Sequence, residues 1–261
     1  MRRKATELAY DTAELLRAVA AKPAKHFTSA LIAAAGSSTR MGTSTSKQLL
    51  DIDGTPVLAR TLLAYEHAAT VQEIVIVARK EDFDTFRALA EQYKITKLKR
   101  ITTGGATRQD SVLRGLSVLS PKTRFLAIAD GARCLITPEQ IDRVNLTAYR
   151  TDAASAAVPA TDTVKLTDEK GRAISTPDRS RVWLAQTPQT FSLALYRAAA
   201  YYAKENGVEA TDDNALLEAV GHPVTMVDCG KENIKITTPG DIYLARAILA
   251  RRADEQKEEN V

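Results

Sequence analysis

The chain has 261 residues, of which 44% are hydrophobic and 26% charged, a composition that fits a folded globular protein and excludes disordered and fibrous classes. Its formal net charge of +4 suits an anionic ligand, but this excess is too small, and the aromatic residues are too few, to favour nucleic-acid binding. The longest apolar runs, such as Ala30 to Ala35, are far too short for the roughly 30 Å hydrocarbon layer of a membrane, so we expect no membrane-spanning segment.

The cysteines and histidines point away from disulfide and metal chemistry. Cys134 and Cys229 lie far apart and form no CxxC pair, a usage typical of the reducing cytosol. We therefore predict a cytoplasmic protein in which both cysteines are buried as small hydrophobic residues. The three histidines have neither the spacing of metal ligands nor a Ser or Cys partner, so histidine catalysis is not predicted.

The two ends of the chain differ from its middle. In residues 1–28, apolar side chains recur at helical spacing, which predicts an N-terminal helical extension; these are Ala5, Leu8, Leu15, Leu16 and Val19. The extension either packs on the body or on a partner, or it is loosely ordered. Residues 253–261 are highly charged, and we predict a solvated tail there.

Residues 29–252 alternate short apolar runs with amphipathic segments. This pattern predicts an α/β domain with a Rossmann-like, mostly parallel twisted sheet and helices on both of its faces. The predicted strands are residues 30–35, 74–78, 99–102, 125–129, 153–158 and 224–227. The predicted helices are residues 56–67, 82–93, 108–119, 138–149, 193–205, 212–220 and 239–252.

One segment of this domain, at about residues 160–181, breaks the alternation. Its polar alternation around a turn at Asp168 to Gly171 predicts a β-hairpin arm that projects from the sheet. An exposed arm of this kind usually needs a partner surface.

The first predicted strand runs into a loop whose composition fits phosphate binding. It reads Leu31-Ile-Ala-Ala-Ala-Gly-Ser-Ser-Thr-Arg-Met-Gly42, followed by Lys47-Gln-Leu-Leu50. Small residues around Gly36 let the backbone approach a ligand, and the amides of such a turn bind anions. Arg40 and Lys47 add a planar guanidinium and a point charge. Neither the dinucleotide fingerprint nor the Walker sequence is present; taken alone, the segment is also compatible with a surface loop carrying two solvated cations.

Several polar residues further along the chain have both a functional and a structural interpretation. Asp130 follows a predicted strand, at the edge where open α/β sheets bind ligands; it could accept a hydroxyl hydrogen bond, hold Mg²⁺, or cap a helix or turn. Arg133 fits either an anion or an ion pair with Asp130. Thr187, held extended by Pro188, is predicted to present its hydroxyl from a rigid loop. Thr211 is predicted to be the N-cap of the next helix.

A series of short motifs follows in a fixed order between about residues 30 and 249. They are Ala34-Ala-Gly-Ser-Ser-Thr-Arg-Met41 with Lys47-Gln48, Gly104-Gly105 with Asp110-Ser-Val112, Asp130 with Ala132-Arg133, Asp162-Thr-Val-Lys165, Asp178-Arg179, Gln186-Thr-Pro-Gln-Thr-Phe191, Thr211-Asp212 and Asn233-Ile-Lys-Ile-Thr237. In this order and spacing the chain resembles the 2-C-methyl-D-erythritol 4-phosphate cytidylyltransferases of the non-mevalonate isoprenoid pathway.

The resemblance implies an activity and a set of site residues. The activity is transfer of CMP from CTP to the phosphate of 2-C-methyl-D-erythritol 4-phosphate, with Mg²⁺, giving 4-diphosphocytidyl-2-C-methyl-D-erythritol and pyrophosphate. The implied nucleotide-binding residues are Ala34, Ala35, Gly36, Arg40, Lys47, Gly105 and Ser111. The implied acceptor-binding residues are Asp130, Arg133, Thr163, Arg179, Thr187 and Lys235. Of these sets Lys47, Arg40 and Lys235 would be catalytic, and Asp130 would be the candidate metal ligand.

The same resemblance implies a homodimer. Thr163 and Arg179 would reach the acceptor of a second subunit through the arm, so that each site is composite. Joining two phosphate groups brings negative charges together, and oriented cations with a divalent ion neutralise and align them without a covalent intermediate.

A few positions depart from the family pattern. Ala33 stands where proline usually opens the glycine loop, and Ala106 replaces an acidic residue. The segment Ala129-Asp-Gly-Ala-Arg-Cys134 lacks a histidine and a proline. These departures bring into question the base selectivity near Ala106 and the stiffness of the loop at Gly131.

Three other functions stay open at this point. The chain could be a cytidylyltransferase for another polyol phosphate, such as ribitol 5-phosphate, or a catalytically silent nucleotide-binding homologue. A nicotinamide-dependent dehydrogenase ranks last, because its glycine fingerprint is absent.

Overall fold

The computed structural model describes residues 26–36 and 46–259; the predicted helix in the N-terminal extension and the predicted Arg40 site lie outside these ranges. The strands are β1 (Thr28–Ala33), β2 (Asp51–Ile52), β3 (Thr55–Pro56), β4 (Val71–Ala78), β5 (Leu98–Thr103), β6 (Phe125–Asp130), β7 (Ala153–Pro159), β8 (Leu166–Thr167), β9 (Ala173–Ser175), β10 (Trp183–Ser192) and β11 (Thr225–Asp228). The helices are α1 (Val57–His67), α2 (Phe83–Gln92), α3 (Arg108–Leu116), α4 (Pro138–Thr151), α5 (Leu193–Glu205), α6 (Asn214–Ala219) and α7 (Pro239–Glu259).

Seven strands form one sheet in the order β11-β7-β10-β6-β1-β4-β5. Neighbouring strands are parallel, except that β10 is antiparallel to both β6 and β7. The predicted mostly parallel α/β fold is therefore confirmed. Each predicted strand and helix in the described ranges is present, with shifts of up to three residues at its ends except at the end of α7.

Strand β10, which has ten residues and lies within the sheet, was not predicted from the sequence. Its stretch Gln186-Thr-Pro-Gln-Thr190 is polar and contains a proline, which is unusual in a central strand. The pairing of β10 with β7 shifts register between Ala185 and Gln189, so the proline sits where the ladder is interrupted. The prediction that Thr187 lies in a loop is therefore wrong.

The hydrophobic core lies on both faces of the sheet, as the alternation along β1 requires. Ile32 packs on one face with side chains of α1, α2 and α4. Leu31 points to the other face and packs with side chains of α3, α5 and α6. Each face buries one large tyrosine, Tyr65 on the first and Tyr196 on the second.

Helix α6 begins later than predicted. Its first residue is Asn214, so Thr211 is not its N-cap. The Asp212 carboxylate accepts a hydrogen bond from the Ala215 amide at 3.1 Å, which gives the first turn of α6 the acceptor that Thr211 was predicted to supply.

Helix α7 is longer than predicted and continues through residue 259. Most of the segment 253–261, predicted as a charged tail, is therefore helical, although its described side chains remain largely exposed. Arg251 pairs with Glu255 one turn further on, a spacing that supports helices made of charged residues. No helix of the described ranges, α7 included, has the length and apolar character needed to cross a membrane.

The predicted hairpin is formed by β8 and β9, which pair antiparallel. Its turn holds Gly171 at φ +76°, a conformation that favours glycine. The apolar side chains of Leu166 and Ile174 are 52% and 67% exposed, so the arm does not bury them against its own chain.

Candidate functional site

A cleft of about 540 Å³ opens at the carboxyl ends of β1 and β6, the edge where open α/β sheets bind ligands. Its described lining consists of small, hydroxyl-bearing and cationic residues with one carboxylate; these are Ala33, Ala35, Gly36, Lys47, Gln48, Val77, Gly105, Ala106, Thr107, Arg108, Ser111, Asp130, Gly131, Ala132 and Lys235.

The paired glycines after β5, Gly104 and Gly105, let the backbone of the cleft lining pass close to Ala35 and to Asp110. A Cβ atom on Gly104 would lie 2.6 Å from the Cβ of Ala35, and one on Gly105 would lie 2.3 Å from the Cβ of Asp110. Both distances are shorter than real Cβ contacts, so glycine is required at both positions. The Gly105 amide donates to the Ser111 hydroxyl at 2.9 Å, which fixes the glycines to the first turns of α3.

The start of α3 is held by a capping box. The Thr107 hydroxyl accepts from the Asp110 amide at 3.0 Å, and the Asp110 carboxylate accepts from the Thr107 amide at 3.2 Å. The reciprocal bonds place the N-terminus of α3, and its partial positive charge, at the cleft.

The structure brings most of the predicted nucleotide-binding residues together. Ala35, Gly36, Lys47, Gly105 and Ser111 all line the cleft. The exception is Ala34, which is buried in the apolar cluster below the cleft and donates its amide to the carbonyl of Val77 at 2.7 Å. Ala34 therefore packs beneath the residues that line the cleft and is not itself one of the described lining residues.

Lys47 opens a short 3₁₀ turn, Lys47–Leu49. The next residue, Gln48, is buried, and its side-chain oxygen accepts from the Ser46 hydroxyl at 2.6 Å. This contact anchors the turn beneath Lys47. Gln48 also lines the cleft.

Asp130, the last residue of β6, is surrounded by cations. Its carboxylate lies 2.9 Å from the Lys235 ammonium and 3.5 Å from Nε of Arg133. Burial alone would raise the pKa of the Asp130 carboxyl, but Lys235, Arg133 and Arg108 outweigh burial and lower the pKa below its usual value. Asp130 is therefore ionised and cannot act as a general acid near neutral pH.

Arg133 and Thr187 support the part of the cleft around Asp130. Arg133 donates to the carbonyl of Asn233 at 2.6 Å; burial lowers its pKa, and Asp130 opposes that effect. Thr187 is buried in β10, and its hydroxyl accepts from the Asp130 amide at 3.0 Å. Thr187 therefore holds the backbone at Asp130, which differs from the predicted presentation of its hydroxyl to a ligand.

Arg108 is a cation of the cleft lining that was not predicted from the sequence. It lies 2.5 Å from the carboxylate of Asp213, which is buried and also accepts from the Tyr196 hydroxyl at 2.7 Å. Burial alone would lower the pKa of Arg108, but the negative charge of Asp213 outweighs burial, and the pKa lies above its usual value. Burial and the negative charge of Asp213 raise the pKa of Tyr196 well above its usual value, so Tyr196 remains a hydrogen-bond donor. Arg108 is three residues after Gly105 and begins α3. A cation so close to the paired glycines could have been predicted to lie at the cleft.

The arm does not contribute to the cleft within one chain. Thr163 and Arg179 are both exposed, and neither is among the described lining residues. The guanidinium of Arg179 donates to the carbonyl of Thr161 at 2.8 Å, within the base of the arm. The two predicted arm residues therefore lie away from Asp130 and Lys235 in the single chain.

Two positions in the segment that departs from the family pattern, Gly131 and Cys134, are well packed. Gly131 is bonded on both sides: its amide donates to the Ala33 carbonyl at 2.9 Å and its carbonyl accepts from Thr61 at 3.1 Å. Cys134 is buried among apolar residues, and burial raises the pKa of its thiol to about 11. Neither position loosens the loop after Asp130. The prediction that Cys134 and Cys229 are buried is confirmed.

The donor set of the cleft limits how a metal ion could bind. Within residues 26–36 and 46–259, no three His, Cys, Asp or Glu side chains are grouped as metal ligands. Asp130 is the one carboxylate among the described lining residues. This set fits an ion held mainly by the phosphates of a ligand, with a single protein carboxylate, as is common for Mg²⁺.

Comparison with known proteins gives a consistent picture. The family model for 2-C-methyl-D-erythritol 4-phosphate cytidylyltransferase matches residues 28–251. Proteins of that name from Microcystis aeruginosa and Synechocystis sp. are 44% and 42% identical to this chain, over 85% of its length and 98% and 97% of theirs.

Solved structures agree with the sequence relatives. The crystal structure of 4-diphosphocytidyl-2C-methyl-D-erythritol synthase from Anaerococcus prevotii is similar with a TM-score of 0.77 at 30% identity, covering 86% of this chain and 96% of that one. The crystal structure of 2-C-methyl-D-erythritol 4-phosphate cytidylyltransferase from Thermus thermophilus gives a TM-score of 0.68 at 33% identity, covering 85% and 98%.

Proposed function

The chain belongs to the 2-C-methyl-D-erythritol 4-phosphate cytidylyltransferase family, and on that premise we propose that it transfers CMP from CTP to 2-C-methyl-D-erythritol 4-phosphate, releasing pyrophosphate. The products are 4-diphosphocytidyl-2-C-methyl-D-erythritol and pyrophosphate. The protein is on this proposal an enzyme of isoprenoid biosynthesis.

The observation that carries the proposal is the charge of the cleft. Lys47, Arg108 and Lys235 line it together with one carboxylate, Asp130, and Arg133 lies beside that carboxylate. A triphosphate and a phosphate monoester bring several negative charges into the same space, and only a cationic cleft stabilises both. A dehydrogenase site needs no such excess of cations.

The reaction requires no covalent bond to the protein. An oxygen of the acceptor phosphate attacks the α-phosphorus of CTP, and the bond from that phosphorus to the bridging oxygen of pyrophosphate breaks. The cations align the two phosphates and stabilise the charge that develops on the attacked phosphate and on the leaving oxygens. We assign Lys47 and Arg40 to the triphosphate, and Lys235 with Arg133 to the acceptor phosphate.

The nucleoside would lie against the small residues of the cleft. Ala35, Gly36, Gly105 and Ser111 offer little side-chain bulk, so cytosine and ribose can approach the backbone there. Ala106 leaves this wall without the acidic side chain of the family pattern.

We propose Mg²⁺ as the cofactor, with Asp130 as its protein ligand. The cleft fits an ion that is bound chiefly through the nucleotide phosphates. When bound, Mg²⁺ neutralises phosphate charge and polarises the phosphoryl oxygens. Lys235 competes for the same carboxylate, which favours an ion that stays on the nucleotide.

We also propose a homodimer in which the arm reaches the partner's cleft. Leu166, Ile174 and Leu184 are each more than half exposed on the arm and at the adjoining start of β10, and a partner surface would cover them. In that arrangement Thr163 and Arg179 enter the acceptor site of the other subunit. The two free, buried cysteines support a cytoplasmic location.

The test is acceptor profiling with the purified chain. Pyrophosphate release from CTP and Mg²⁺ is measured with 2-C-methyl-D-erythritol 4-phosphate, with ribitol 5-phosphate and without an acceptor. We expect release with the first acceptor at least about tenfold faster than with the second, because a site built for specific hydroxyl groups discriminates strongly. Faster release with ribitol 5-phosphate overturns the proposed acceptor. Binding of CTP without release with either acceptor favours a catalytically silent homologue.

A further inference from the structure

Asn233 is completely buried beneath the acceptor side of the cleft, and no activity described above uses its side chain. It lies two residues before Lys235, on the irregular segment between β11 and α7. Burial of an amide side chain costs free energy unless its polar atoms are hydrogen-bonded.

The side chain of Asn233 connects two segments that are distant in sequence. Its Nδ2 donates to the side-chain oxygen of Gln186 at 2.9 Å and to the backbone carbonyl of Thr187 at 3.0 Å. Gln186 in turn donates to the carbonyl of Gly230 at 3.2 Å. The segment that carries Lys235 is therefore fastened to β10 at the interruption of its ladder.

Strand β10 and the segment that carries Lys235 also form hydrogen bonds with the end of β6 and the loop that follows it. The Thr187 hydroxyl accepts from the Asp130 amide, and the Asn233 carbonyl accepts from Arg133. The Ile236 amide donates to the Ala132 carbonyl at 2.8 Å. Asn233 supplies two of the hydrogen bonds between β10 and the Lys235 segment, and Gln186 supplies a third through the Gly230 carbonyl.

We propose that Asn233 is a positioning residue for the acceptor phosphate. By tying β10 to its own segment it fixes the relative placement of Lys235, Arg133 and Asp130, while touching no substrate itself. The inference rests on the proposed function, because it takes these three residues as the acceptor-phosphate site. It predicts a selective effect: loss of these hydrogen bonds disturbs the acceptor side and leaves the nucleotide side intact. The turn that carries Lys47 is held by the contact between Ser46 and Gln48, and Gly105 by its bond to Ser111.

The experiment compares two matched asparagines. Asn145 is also completely buried and also makes two side-chain hydrogen bonds, donating to Thr70 and accepting from Thr190, each at 2.8 Å. It lies in α4, outside the described lining of the cleft. The variants are Asn233→Ala, Asn233→Leu, Asn145→Ala and Asn145→Leu. The Leu variants keep roughly the size of the side chain and remove its hydrogen bonds without adding a charge, so they separate hydrogen bonding from packing.

Binding is measured by calorimetry, well below the lowest melting temperature, for CTP alone and for 2-C-methyl-D-erythritol 4-phosphate in the presence of a non-hydrolysable CTP analogue and Mg²⁺. We expect both Asn233 variants to bind the acceptor about 10- to 100-fold more weakly, because acceptor binding must then order the segment that one or two buried hydrogen bonds hold in the wild type. We expect their CTP affinity to stay within about threefold of wild type. The Asn145 variants should melt at lower temperature and bind both ligands as wild type does.

Three results would overturn the inference: wild-type acceptor affinity in the Asn233 variants, an equal loss of CTP affinity in them, or an equal loss of acceptor affinity in the Asn145 variants. Pyrophosphate release by the wild type is measured alongside. A wild-type chain that binds both ligands but releases no pyrophosphate refutes the proposed function, and the Asn233 comparison is then decided by the binding constants alone. A wild-type chain that does not bind the acceptor counts against both.

Discussion

The acceptor side of the cleft and the arm carry the same kind of predicted residues, a threonine hydroxyl beside a cation, but the chain holds them in different ways. Thr187 is buried and bonded to the Asp130 amide, and Lys235 pairs with the Asp130 carboxylate. Thr163 and Arg179 are exposed, and Arg179 bonds to the base of its own arm. One chain therefore holds the first group together by a hydrogen bond and an ion pair, whereas Thr163 and Arg179 are not among the described lining residues of the cleft.

The largest effect that we predict is at Lys47, which lines the cleft within a single chain. Lys47→Ala should lower kcat by about 10²- to 10³-fold, because its cation stabilises charge that develops in the transition state. The KM for the acceptor should change little. The matched control is Lys80→Ala, because Lys80 also opens a 3₁₀ turn but is exposed away from the cleft. A Lys47→Ala enzyme that keeps most of its kcat would remove Lys47 from the mechanism.

The second prediction tests whether the arm acts on a partner. Arg179→Ala should lower kcat/KM by about 10- to 100-fold through loss of a charged contact to the acceptor. Mixing Arg179→Ala and Lys47→Ala subunits at equal amounts should restore about a quarter of the wild-type sites, because each mixed dimer contains one site with neither substitution.

The readout for this mixture is the steady-state rate after the subunits have been allowed to exchange. The control is the same mixture after crosslinking of the two separate homodimers. If exchange restores no activity, Arg179 acts within its own chain or not at all, and the contrast between the two regions disappears.

The third prediction concerns the glycines of the nucleotide wall. Gly105→Ala should destabilise the fold by about 1–3 kcal/mol and raise the KM for CTP, because the new Cβ would lie 2.3 Å from the Cβ of Asp110. Urea unfolding and CTP titration measure the two effects. The control is Gly240→Ala in α7, where the nearest atom lies at 3.8 Å; alanine is expected to be neutral or stabilising there. Equal behaviour of the two variants would contradict the close approach.

The smallest effect is on stability against pH. Lys235 helps to lower the pKa of Asp130, so the stabilisation from ionised Asp130 is present above the usual Asp pKa of about 3.9 and is lost as the pH falls towards the lowered value. In Lys235→Met the pKa of Asp130 should rise. The variant should be least stable relative to wild type near pH 7, and the difference should shrink below about pH 4.

Urea unfolding between about pH 3 and 7 checks this dependence. The loss near pH 7 should stay well below the roughly 3–5 kcal/mol of a fully buried pair, because Lys235 is 38% exposed and solvent screens its charge. Lys165→Met, which removes an exposed lysine of the arm, should show no such dependence. A pH-independent difference for Lys235→Met would mean that Lys235 does not control the charge of Asp130.

The sequence was sufficient for the parts of the fold that depend on local patterns. The apolar runs of β1, β4 and β6 and the amphipathic faces of α1 to α5 follow directly from periodicity. The same is true of the arm, where Asp168 and Gly171 mark the turn. Most of the nucleotide wall was also predictable, because small residues and cations are concentrated near Gly36 and Gly105.

The sequence was insufficient where long-range contacts decide the structure. β10 has polar residues because its side chains bond to distant segments: Gln189 to Asp212, Thr187 to Asp130 and Thr190 to Asn145. These partners cannot be identified from local pattern, so the segment resembled a loop. Asn233 belongs to a quoted motif but was given no role for the same reason. Arg108 was not predicted because its pairing with Asp213 joins residues about a hundred positions apart.

The insertion of β10 between β6 and β7 has a consequence for synthesis on the ribosome. Both flanking strands are made first, so their facing edges expose unpaired amides and carbonyls until residues 183–192 have been translated. Open strand edges promote association between unfinished chains. Nascent chains that stop before residue 183 should therefore aggregate or recruit chaperones more strongly than chains that continue past residue 192.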